Sequence, residues 1–114
     1  VYPSGEWEGF WVQEHYGRQS MQAFNLRFAD GRITGRGRDV IAPFAFRGTY
    51  DERTGAVVMV KKYLRRHTVT YRGRPDGEGC IQGTWHIGEL GSGPFLIRPV
   101  VRRPAGDEPI QEIG

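Results

Sequence analysis

Residues 48–73, GTYDERTGAVVMVKKYLRRHTVTYRG, leave this chain little choice of fold. Two runs rich in β-branched and aromatic residues are joined by short polar turns, at 51–55 and at 64–66. A parallel return needs a crossover of about a dozen residues or more, so these runs must be antiparallel neighbours. The same stretch concentrates Lys61, Lys62, Tyr63, His67 and Tyr71. Any pocket in the fold therefore draws polar groups from here.

The rest of the chain repeats that grammar. Residues 6–13 alternate, with Trp7, Gly9 and Trp11 on one face of a strand. Gly9 between two tryptophans marks a kink or a wall that must stay thin. Residues 15–20 read as a connection, and 21–29 alternate again with Phe24, Leu26 and Phe28 pointing one way. Asp30 and Gly31 form a two-residue hairpin signal into a third strand at 32–39. Further strands are expected at 44–51, 56–63, 67–74, 80–87 and 95–101, with loops at 75–79 and 88–94. No segment holds a helical period over a useful length.

Eight short strands in order predict an all-β, antiparallel, up-and-down meander. Closing it into a barrel removes the exposed edges of an open sheet. With 114 residues the chain suits one domain, placed at 1–103 with an irregular tail at 104–114. Trp7, Phe24, Leu26, Phe28, Phe46, Ile81, Trp85 and Phe95 are the expected core.

Composition narrows the partners. No apolar run approaches the ~18–20 residues of a membrane span, and none looks like a signal segment. The one cysteine, Cys80, allows no internal disulfide and leans the reading towards a reducing, cytoplasmic setting. A start at Val1 and an aperiodic tail are what a domain cut from a longer protein would show. The net charge of +3 is unevenly placed: residues 32–74 hold 11 basic and 3 acidic side chains. That band is either a solvated barrel wall or a surface that binds polyanions weakly. A second copy of the chain is a further candidate partner.

The order GEW, ADGRITG, GTYD, KKY, HTVTY and IQGTW resembles the avidin–streptavidin family over roughly residues 5–87. The G-x-W is shared with lipocalins and other calycin barrels. The resemblance implies an eight-stranded, avidin/lipocalin-like barrel. It does not imply the biotin pocket, because most contact positions differ. The polar amide expected two residues after Trp7 is Gly9, and the strand-three tyrosine and serine fall on Gly37 and Asp39. The tryptophan expected before Lys61 is Val60. Thr68, Thr70 and Trp85 do match, as two small hydroxyls and a tryptophan that would face the ligand.

Enzymatic signatures are missing. His15, His67 and His86 lack metal-ligand spacing, and there is no nucleophile elbow, P-loop or dinucleotide fingerprint. No cofactor is expected. The polar constellation that stands out is Asp39, Lys61, Tyr63, His67 and Tyr71. The ends of strands three and five and the starts of strands four and six lie at one rim of a meander, so these residues can converge there. Facing inwards with Trp7, Trp11 and Trp85 as aromatic walls, they would orient an anionic or hydrogen-bonding small molecule. Facing outwards, they are a solvated cationic wall. An Asp39–Lys61 pair that merely stitches the barrel is the intermediate case. The reading ranks a ligand-binding barrel first and an accessory or interaction domain second. An acid/base enzyme using Asp39 or His67 comes last.

Overall fold

Period-two alternation buries one face of each strand, and eight such faces enclose a common core. The computed structural model describes residues 2–39, 42–64 and 67–101. Its strands are β1 (Gly5–Gln13), β2 (Gly17–Ala29), β3 (Arg32–Arg38), β4 (Pro43–Tyr50), β5 (Val57–Tyr63), β6 (Thr68–Pro75), β7 (Ile81–Ile87) and β8 (Gly91–Pro99). Each pairs antiparallel with the next, and β8 returns to β1 with Trp11 opposite Phe95 and Trp7 opposite Pro99, closing the barrel. The expected fold class is the one observed. No helix occurs among the described residues. The expected tail at 104–114 and part of the turn at 64–66 lie outside them.

Two strands are longer than the sequence pattern suggests. β2 begins at Gly17, where Gln13 pairs with Gly17 and Trp11 with Gln19. β8 begins at Gly91, four residues before the expected start. Its pairing to β1 stops at Phe95, so residues 91–94 ladder with β7 alone. Pro94, which has no N–H to donate, sits where the ladder is one-sided. Polar and glycine-rich strand ends carry little hydrophobic alternation, which is why both were read as connections.

The turns follow their side chains. Asp30 (φ 54) and Gly31 (φ 76) both take left-handed backbone, as the tightest hairpins require. At 51–55 the Asp51 carboxylate accepts the N–H groups of Arg53 (2.7 Å) and Thr54 (3.1 Å). Gly9 earns its place at the seam. A Cβ there would lie 2.0 Å from the Leu96 carbonyl oxygen. Opposite Glu8 the register slips, with Trp7 facing Phe24 but Gly9 facing Met21. This extra residue in β2 lies between Met21 and Phe24, so the inward parity changes there and Met21 packs against the core.

Of the expected core, Trp7, Phe24, Leu26, Phe46, Ile81, Trp85 and Phe95 are buried, and Phe28 is partly buried against them. One end of the barrel is plugged. Tyr2 stacks among Trp7, Phe28 and Tyr50 at ring distances of 6.1, 5.2 and 6.3 Å, and its hydroxyl donates to the Gly55 carbonyl. The Trp7 indole N–H donates to the Pro3 carbonyl at 3.0 Å.

Candidate functional site

The opposite end is open. Its cavity of about 400 Å³ is lined by residues that include Trp11, Gln19, Asp39, Tyr63, Tyr71 and Trp85. Lys61 and His67 also line it. Strand ends deliver them: β3 runs out at Asp39, β5 ends at Tyr63, and His67 immediately precedes β6. Inward alternation along β5 and β6 then adds Lys61, Val69 and Tyr71. Seven of the eight predicted site residues thus meet in one cavity. The exception is Trp7, held at the plugged end. Trp7 and Trp11 share a strand face but stand four residues apart, about 13 Å at strand rise.

Lys61 is the chemical centre of this mouth. It is 6% exposed, the one buried charged residue among those described. Its Nζ makes no ion pair with a described residue. Instead it lies 4.8 Å from the Phe44 ring centroid, 5.0 Å from Tyr63 and 5.8 Å from Tyr71. Aromatic faces attract a cation, by about 0.5–2 kcal/mol each at most, but do not replace its water. Burial therefore lowers the ammonium from 10.5 to about 8, while the charge of Asp39 partly opposes that shift.

Asp39 is held as an anchor. Its Oδ1 accepts the Ala42 N–H at 3.2 Å and its Oδ2 accepts the Tyr63 hydroxyl at 2.5 Å. Burial, and then the Asp39 hydrogen bond and charge, raise the Tyr63 phenol, so it stays a neutral donor. Tyr71 is raised too, by burial first and then by Tyr63 and Asp39. The Asp39–Lys61 stitch weighed from the sequence is a through-space attraction here, not an ion pair. His67 stands exposed on the rim with its ring 5.6 Å from Tyr63.

The aromatic wall is fixed rigidly. Trp85 donates its indole N–H to the Val12 carbonyl at 2.9 Å, and Trp11 meets it edge-on at 5.5 Å. Around the rim, the turns before β2, β6 and β8 expose Tyr16, Leu64 and Leu90 at 72%, 66% and 87%. Gln19 is a lining residue that the sequence reading missed, because it was placed in a connection. Thr68 and Thr70, matched to ligand-facing hydroxyls by the family resemblance, instead pair with Lys62 and Val60 on the outer wall. The β6 residues that face inwards are Val69 and Tyr71.

A larger hollow, about 1020 Å³, lies outside the barrel over β2–β5. Arg27, Arg36, Arg47 and Lys62 line it with Asn25 and Thr34. It holds no buried polar group, so the mouth is the better candidate for a small molecule. Neither place suits a metal: among the described residues no three His, Cys, Asp or Glu side chains converge. Cys80 is half-buried, and burial and the Asp76 carboxylate push its thiol up, away from reactivity. No protein-family model, curated protein or solved structure matches the chain. The fold defines its class, a small closed β-barrel with one plugged and one open end.

Proposed function

We propose that this barrel binds a small molecule in its open mouth, with a flat apolar body against Trp11 and Trp85 and an anionic or hydrogen-bond-accepting end at Lys61. The observation that carries this is Lys61 itself. A buried ammonium held against ring faces, with Asp39 attracting it through space but no ion pair to a described residue, costs the fold stability, and a ligand acceptor in the adjoining cavity would restore what burial removed. The apolar side chains of the rim suit entry of such a body. The resemblance to the avidin–streptavidin family is compatible with a ligand in this position. Biotin is not the occupant we favour, since no side chain fits at Gly9 and Thr68 and Thr70 turn outwards.

The test is a screen of aromatic carboxylates and neutral acceptors, read by fluorescence of the mouth tryptophans, on the native protein and on Asp39→Ala and Lys61→Ala. Hits are expected to weaken at least tenfold in Lys61→Ala. A hit that binds all three proteins equally would move the function to an accessory domain without this pocket.

A second reading concerns the outer wall. The outward positions of β3–β6 carry Arg32, Arg36, Arg47, Lys62 and Arg72, all exposed, and no carboxylate. Such a surface favours weak, salt-sensitive binding of a polyanion.

A further inference from the structure

The 16 basic residues of the chain include only two lysines, Lys61 and Lys62, which are adjacent in β5 and therefore point to opposite sides of the wall. Lys62 shares the exposed outer wall with arginines. At the most deeply buried charged position among the described residues the chain places an amine, which unlike a guanidinium can shed its proton and act as a nucleophile. We propose that the Lys61 amine captures aldehydes that enter the mouth, as a reversible imine. This deepens the small-molecule reading and rests on it.

Geometry supplies what the step requires. Lys61 lines the cavity with its Nζ 5.8 Å from the Tyr71 ring centroid, and the flat walls of Trp11, Trp85 and Tyr71 would hold an aromatic aldehyde beside it. The nitrogen lone pair attacks the carbonyl carbon, a C–N bond forms, and the carbonyl π electrons pass to oxygen. That oxygen takes up a proton while nitrogen loses one, giving a carbinolamine. Protonation of its hydroxyl then expels water as the C=N bond closes, and the protonated imine so formed gives that proton back to become the neutral imine. Aldehyde and amine thus become imine and water, with no oxidant or reductant involved. Asp39 and the Tyr63 hydroxyl it holds are the proton-carrying groups beside the amine, and the carboxylate offsets the charge of a protonated imine. With Lys61 lowered to about 8, roughly half of the amine is free at pH 8. An ordinary exposed lysine is free in well under about one part in a hundred at that pH.

The experiment uses the whole chain at pH 8 with 2-naphthaldehyde and sodium cyanoborohydride, which reduces an imine to a stable amine, and maps the adduct by peptide mass spectrometry. Lys62, on the outer wall of the same strand, is the internal reference. The expected result is labelling of Lys61 at least tenfold faster than Lys62, slowed by 2-naphthoate, with Lys61→Arg and Lys61→Met losing the fast adduct while keeping the wild-type circular dichroism. Equal labelling of the two lysines, or no adduct at Lys61, overturns the imine. Fluorescence titration with 2-naphthoate alone separates the two failures. If naphthoate binds the wild type and the aldehyde is not captured, only the covalent step falls. If neither binds, the ligand-binding mouth falls with it.

Discussion

Lys61 shows how one residue's surroundings set its chemistry. Its folded value of about 8 lies below the unfolded 10.5, so between those pH values the unfolded chain binds more protons and stability rises with pH. Below pH 8 both states are protonated and the fold carries the full cost of the buried charge. The shift corresponds to about 3 kcal/mol, reduced by the aromatic contacts. The buried phenols act in the other direction. Tyr63 and Tyr71 are raised from 10.0, so their contribution is intact below pH 10 and is lost above it. Lys61→Met is therefore expected to be more stable than the native protein by about 1–3 kcal/mol at pH 7, with the gap closing towards pH 10. Urea midpoints of both proteins from pH 7 to 10 check this, because contributions of Cys80 and the tyrosines common to both largely cancel. A gap that does not change with pH would mean that the amine is not desolvated.

At the scale of elements, β1 and the cationic wall make separate demands. The β1–β8 seam closes only because Gly9 has no side chain, its place for a Cβ being 2.7 Å from the Ile97 Cα as well as close to the Leu96 carbonyl. Neither neighbour is a flexible side-chain tip. Gly9→Ala is expected to cost about 3 kcal/mol or more and to raise hydrogen exchange first in β1 and β8. Exchange that rises evenly through all eight strands would show that the seam is not the point of strain. The outer wall of β3–β6 predicts retention on heparin that falls steeply from about 50 to 200 mM salt. Arg36→Glu with Arg47→Glu should abolish it without changing binding at the mouth, since both side chains line the outer groove. Retention insensitive to salt would remove the polyanion reading.

At the scale of the molecule, the two ends of the barrel are unequal. Tyr2 seals one end by ring contacts and a hydrogen bond to Gly55, a residue 53 positions away. Tyr2→Ala should therefore lower stability by about 2–4 kcal/mol, near the low end for removing an aromatic ring because the site is at the barrel's end. Mouth affinity should stay within about twofold of native; a larger loss would mean that the ends are coupled through the core. Thermal unfolding is expected as a single transition, since every strand needs both neighbours to bury its inner face.

What the sequence determined by itself is everything governed by a period of two and by local turns. Alternation at Phe24, Leu26, Phe44, Phe46, Val57 and Met59 fixes strand existence and inward side, and Asp30 with Gly31 fixes a hairpin. The order of strands round the barrel follows from connections too short to cross over. The convergence of Asp39, Tyr63 and His67 was legible for the same reason, as a counting of strand ends. Tertiary structure decided what depends on absolute position along the barrel and on contacts distant in sequence. The slip in β2 between Met21 and Phe24 exchanges the inward and outward sides of the residues before it, and no local pattern announces it. Closure places Glu8 opposite Arg98, a pairing across 90 residues set by total twist and shear. Trp7 and Trp11 look alike in sequence, yet one packs under Tyr2 and the other lines the cavity, because height within the barrel is a sum over all strand registers. The solvation of Lys61, and with it its acidity, depends on rings contributed by β4, β5 and β6 together, a quantity no single stretch of chain contains.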